Sequence, residues 1–181
     1  MTPKLNNIAS LIVILCSCNY PLLVTAQICQ PESIAQTSSP SNFTRIDIAI
    51  IEDTVTGLLW QRCALGQQAT ETACTGIATK MTWQEAIQAS FALNDGWRLP
   101  NIKELASIIN YQCFTPPYNL TTFPNTPTSR ERGFWTSTPG QKNISGEEEE
   151  TTAWISDLWH GQLKRSSVME KHYVRLVKSA Q

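Results

Sequence analysis

Gly96-Trp97-Arg98-Leu99-Pro100-Asn101-Ile102-Lys103-Glu104-Leu105 follows one helical pattern and opens a second. Trp97 and Leu99 alternate with Arg98, so they face one side of a short extended segment. Pro100 pushes Leu99 away from helical angles. Asn101 suits an N-cap, and Glu104, three residues on, can bond back to it. The stretch predicts a helix exit, a buried crossing with Trp97 and Leu99 inward, and a helix entry.

Working outward, Thr82 and Glu85 make a capping box for a first helix, with Trp83, Ala86, Ile87 and Phe91 at helical spacing on one face. Asn94-Asp95-Gly96 ends it. A second helix is expected from Ile102 to about Tyr111, with Ile102, Leu105, Ile108 and Ile109 inward, before Pro116 and Pro117 forbid continuation. Upstream, the alternating, β-branched run from Arg45 to Ile51 predicts a strand, Asp53 to Gly57 a turn, and Leu58 to Cys63 a return strand. Downstream, Phe114 to Arg132 is a long irregular stretch rich in Pro, Thr and Asn, of a kind that is usually functional or well packed. Phe134 to Thr138, Ala153 to Trp159 and Tyr173 to Val177 read as strands, and His160-Gly161 as a turn. Gly140 to Thr151, with four consecutive glutamates from Glu147 to Glu150, reads as a solvated loop. Hairpin, two helices, long loop and three strands predict an α+β fold, with two helices packed on a small antiparallel sheet.

Length and composition bound the rest. The chain has 181 residues, 41% hydrophobic and 16% charged, which suits one core and argues against disorder. A net charge of −1 gives no global field to attract nucleic acid. Lys4, the apolar run from Ile8 to Cys18 and Val24-Thr25-Ala26 read as a signal peptide over residues 1–26, with Gln27 beginning the mature chain. Asn19 and Pro21 interrupt that run, so no transmembrane span is expected. Leu15-Cys16-Ser17-Cys18 leaves open a lipoprotein signal with Cys18 lipidated. Residues 27–44 read as an extended arm and 45–181 as the domain, exported to the periplasm, the outer surface or the medium. Cys29, Cys63, Cys74 and Cys113 remain after cleavage, and an even count in an exported chain predicts two disulfides. Three connectivities are open. The short loop favours Cys63 with Cys74, which leaves Cys29 to tie the arm to Cys113.

A spaced set of motifs carries a resemblance. They are Asp53-x-x-Thr56-Gly57-Leu58-x-Trp60-Gln61, Thr82-Trp83-x-x-Ala86, Trp97-Arg98-Leu99-Pro100-Asn101-x-Lys103-Glu104-Leu105, Phe123-Pro124, Phe134-Trp135-Thr136-Ser137-Thr138 and Tyr173-Val174-Arg175-Leu176-Val177. Over residues 45–178 the chain resembles the exported bacterial domain family named after the C-terminal domain of the Legionella collagen-like adhesin. The resemblance implies a C-type-lectin-like fold shared with formylglycine-generating enzymes. It also implies an adhesin-like role, with sulfated polysaccharide as ligand and a trimer as assembly.

Trp60, Trp83, Trp97, Leu99, Trp135 and Trp154 are expected in the core. Arg98 and Arg175 lie between apolar neighbours and are expected to pair structurally, with Asp53 or Glu104 as partners. His160 and His172 belong to no metal-spaced pair and are expected at the surface. No cofactor is expected. Asp157, after Trp154-Ile155-Ser156, is the one calcium candidate, and a calcium site needs several converging oxygens. A polyanion needs clustered cations beside aromatic rings, and Trp159, His160, Lys164, Arg165 and Lys171 are the candidate patch. These residues predict a non-catalytic binding module for a glycan or an envelope partner protein. The alternative is a modifying enzyme of the formylglycine-generating kind, which would need a cysteine pair and copper.

Overall fold

The computed structural model describes residues 27–140 and 151–180. The leader, its cleavage after Ala26, the lipidation of Cys18 and the Glu147–Glu150 loop lie outside the described residues. In chain order the strands are β1 (Ile28–Cys29), β2 (Phe43–Arg45), β3 (Ile50–Asp53), β4 (Leu58–Gln61), β5 (Gln68–Ala69), β6 (Cys74–Thr75), β7 (Lys80–Met81), β8 (Cys113–Phe114), β9 (Gly133–Pro139), β10 (Thr152–Asp157), β11 (Leu163–Ser167), β12 (His172–Tyr173) and β13 (Val177–Ser179). Helix α1 is Trp83–Ala92 and α2 is Ile102–Ser107. The fold is mixed α+β, as expected. Two larger sheets stand where one was expected: five strands in the order β11-β10-β9-β12-β7, and four in the order β13-β4-β3-β2. All their pairings are antiparallel except β12 with β9, which is parallel.

The Gly96–Leu105 stretch joins these layers. Arg98 and Val177 exchange backbone hydrogen bonds of 3.0 Å, and Ser137 N–H donates to Pro100 O at 2.7 Å, so the crossing grips both sheets. Leu99 is buried, while Trp97 is only half-buried, packed on the core with the Lys178 ammonium 5.0 Å from its ring centre. Both capping boxes form: Thr82 with Glu85, and Asn101 with Glu104.

Three elements differ from the sequence reading. The predicted strand from Arg45 to Ile51 is two strands around a tight turn. The Asp47 carboxylate accepts Ala49 N–H at 2.9 Å there, and that side-chain bond outcompetes the alternation. Helix α2 stops at Ser107, because Asn110 N–H turns away to Pro117 O at 2.8 Å. The predicted strand from Tyr173 to Val177 is split between sheets: Tyr173 pairs with Phe134, and Val177 with Trp60. Val174 and Leu176 reach the core cluster around Trp135, and Val177 the cluster around Trp60.

Trp60 and Trp135 are fully buried. Trp83 is half-buried against the core, its indole N–H donating to Thr136 O at 2.8 Å. Trp154 is half-buried and sits outside both clusters. On α1, Ala86 and Ser90 face inward, while Phe91 is 75% exposed, a correction to the expected face.

The disulfides join Cys29 to Cys113 and Cys63 to Cys74, as expected. The arm is no free extension. Strand β1 pairs with β8, the Gln27 amide donates to Pro116 O and Tyr118 O at 2.7 Å, and Thr37 Oγ donates to Ile109 O at 2.9 Å. No helix among the described residues is long and apolar enough to cross a membrane.

Candidate functional site

Strand β10 ends at Asp157, and that residue builds the turn after it. Its Oδ1 accepts the N–H groups of Trp159 (2.8 Å) and His160 (2.7 Å), and its Oδ2 accepts Gln162 N–H (3.1 Å). Gly161 closes the turn at φ +76°, where a side chain is both strained and blocked: a Cβ would meet Ile109 Cγ2 at 2.7 Å. Buried Leu158 anchors the turn from below. Asp157 is thus buried and engaged by backbone, and among the described residues no three His, Cys, Asp or Glu gather as metal ligands.

The turn presents Trp159 half-buried and His160 exposed. Two other parts of the chain meet them. Phe114 of β8 lies with its ring centre 6.3 Å from His160, its backbone neighbour Thr115 donating to Trp159 O at 2.9 Å. Arg130, from the long irregular stretch, lays its guanidinium over the Trp159 ring, 4.2 Å from the centre. Ile28, the strand partner of Phe114, is exposed beside it. Among the described residues no carboxylate pairs with Arg130. The surface therefore offers aromatic and apolar faces next to an uncompensated cation, which can stack on the apolar face of a ring and hold an anionic group.

The other expected members of the patch lie elsewhere. Lys164 and Arg165 are consecutive on β11 and project to opposite sides of the sheet, opposite Ile155 and Trp154 respectively. Lys171 follows the β11–β12 turn to the far edge. There it lines an open hollow of about 530 Å³ with Lys80, Met81 and Glu85. Of the five expected members, Trp159 and His160 stay together, while strand alternation and one turn disperse Lys164, Arg165 and Lys171.

Two further residues depart from expectation. His172 is buried rather than exposed. Its Nδ1 accepts Gly133 N–H at 3.0 Å, so the proton of the neutral ring is on Nε2, which donates to Ser166 Oγ at 2.8 Å. Burial, then the nearby Arg132 charge, pushes its pKa down to about 4. Arg175 finds no carboxylate among the described residues. Its guanidinium donates to the Gln61 and Arg62 carbonyls and to Thr126 Oγ, with Phe123 and Phe134 against its faces. Burial lowers its pKa to about 10. Asp53, the other suggested partner, caps its own turn through Val55 N–H and Thr56 Oγ.

Arg130 and Phe114 were missed as site residues, since no local spacing links them to Trp159. Their one signal was the length of the irregular stretch that holds both. Comparison with curated proteins finds no match. The family model described as the Lcl C-terminal domain matches residues 49–178, and the chain belongs to that family.

Proposed function

We propose that the chain is an exported, non-catalytic binding module that holds an anionic glycan, such as a sulfated polysaccharide, on the surface formed by Ile28, Phe114, Arg130, Trp159 and His160. The observation that carries this reading is the Arg130 guanidinium lying over Trp159 without a carboxylate partner among the described residues. Membership of the Lcl C-terminal domain family supports a surface-binding role. Two disulfides fit an oxidising compartment. They also engage Cys29, Cys63, Cys74 and Cys113 as structural cross-links, which fits the non-catalytic reading.

A glycan array tests the proposal. The purified chain is expected to retain sulfated oligosaccharides over their desulfated counterparts, less strongly as salt rises, and equally well with a chelator present. Retention of no glycan, or of neutral glycans alone, counts against it.

A further inference from the structure

A second, separate cavity lies under the disulfide-closed hairpin. Strands β2, β3 and β4 carry Phe43, Arg45, Ile51 and Trp60 on one face, because Arg45 pairs with Ile51 and Ile51 with Trp60, and Arg62, just past the end of β4, lines the same cavity. Trp60 is sealed in the core. At the open end of the same face, the β5–β6 hairpin overhangs from one side, its base pinned by Cys63–Cys74. The segment holding Thr121 and Thr122 closes the other side. Between them is a pocket of about 370 Å³, lined by Phe43, Arg45, Ile51, Arg62, Glu71 and Thr122 among others. That volume falls within the range of small-molecule sites.

Its chemistry is two-sided. Phe43 and Ile51 make an apolar wall. Arg62 is 5% exposed, and its Nη1 donates to Thr70 O at 2.7 Å and to Ile48 O at 3.3 Å. Among the described residues no hydrogen bond engages its Nε or Nη2, and no carboxylate touches it. Arg45 already holds an anion. Its Nη2 donates to Glu71 Oε2 at 2.7 Å and its Nη1 to Glu71 O at 2.8 Å. The Glu71 side chain is 79% exposed, and an ion pair so open to water is readily displaced.

We propose that this cavity is a binding site for a small organic carboxylate with an apolar body, and that the Glu71 carboxylate is its built-in competitor. The ligand carboxylate takes the unengaged side of the Arg62 guanidinium and draws Arg45 from Glu71, while its apolar body lies on Phe43 and Ile51. No residue of the Trp159 surface contributes, so this site stands or falls independently of the glycan reading.

Calorimetric titration of the purified chain with 3-phenylpropionate tests the proposal, with 3-phenylpropanamide and inorganic sulfate as parallel probes. The acid is expected to bind, the amide not to bind, and sulfate to bind at least tenfold more weakly. Glu71→Gln, at an exposed position, is expected to tighten the acid several-fold. Arg62→Met is expected to abolish binding. Should Arg62→Met fail to fold, Thr121→Trp, at the exposed lip of the cavity, provides the blocking variant. Absence of acid binding, equal binding of amide or sulfate, or an unchanged affinity in Glu71→Gln overturns the proposal.

Discussion

Arg98 and Glu104 meet through two hydrogen bonds of 2.7 Å, one from each terminal guanidinium nitrogen to one carboxylate oxygen. The same carboxylate accepts Asn101 N–H at 2.7 Å, so one side chain completes the cap of α2 and ties it to the crossing that precedes it. Burial alone would raise the Glu104 pKa, but the Arg98 and Asn101 hydrogen bonds outweigh it and hold the carboxyl below its ordinary value. Arg98 is 42% exposed along its side chain, so water screens the pair and takes up the cation when its partner is removed. Glu104→Ala should therefore cost about 2 kcal/mol, more than a cap alone and less than a fully buried pair. Glu104→Gln, which keeps an acceptor for Asn101, should cost about half of that. Denaturant unfolding of the two variants checks the ranking.

His172 predicts a distinct acid response. Its folded pKa of about 4 lies below the unfolded value of about 6.5. Between those values the unfolded chain binds the extra proton, so stability is full above about pH 6.5 and falls as pH drops toward about 4. The loss approaches about 3 kcal/mol. Protonation also removes the Nδ1 acceptor from Gly133 N–H. The depressed Glu104 carboxyl loses its contribution only at lower pH, below the ordinary carboxylate range, so the two effects separate. Unfolding midpoints measured from pH 7 to pH 4 should fall for the native chain and flatten in His172→Asn.

The two disulfides should differ in weight. Cys29–Cys113 spans a sequence separation of 84 and Cys63–Cys74 one of 11. If chain entropy dominates, replacing the first pair by serine costs about 4.5 kcal/mol and the second about 3 kcal/mol. Loss of the first should also release the arm, seen as faster amide exchange at Gln30, whose N–H donates to Gln112 O at 2.8 Å.

Trp97→Ala should cost about 2 kcal/mol, less than a fully enclosed tryptophan would, because one face of the ring is open to Lys178. Leu99→Ala, at a buried position, should cost more, about 3 kcal/mol. Equal losses in the two variants would contradict the half-open placement of Trp97.

Local signals were legible in the sequence where one chemical rule governs. The Thr82–Glu85 and Asn101–Glu104 caps and the helix end at Asn94-Asp95-Gly96 followed from spacing, Cys63–Cys74 was favoured by its short loop, and Cys29–Cys113 was what remained. What failed was set by tertiary competition. Asp47 turned an alternating run into a hairpin, and Tyr173 and Val177 were claimed by different sheets. Phe91 kept helical spacing yet faces solvent, since Ser90 occupies the inward position beside it. Strand β11 was not foreseen, because Lys164-Arg165-Ser166-Ser167 has no apolar period. The site failed for a related reason. Trp159 draws its cation from Arg130, 29 residues earlier in the chain, while its nearer neighbours Lys164 and Arg165 diverge on a strand.

Titration of a sulfated oligosaccharide into the native chain and into Arg130→Ala, Trp159→Ala and Lys171→Ala measures whether the Arg130–Trp159 surface holds the ligand. Arg130 and Lys171 are both exposed, so neither substitution should disturb the fold. Binding should weaken at least tenfold in Arg130→Ala and Trp159→Ala and keep its native affinity in Lys171→Ala. Native affinity in both Arg130→Ala and Trp159→Ala, or a loss confined to Lys171→Ala, would place the ligand elsewhere.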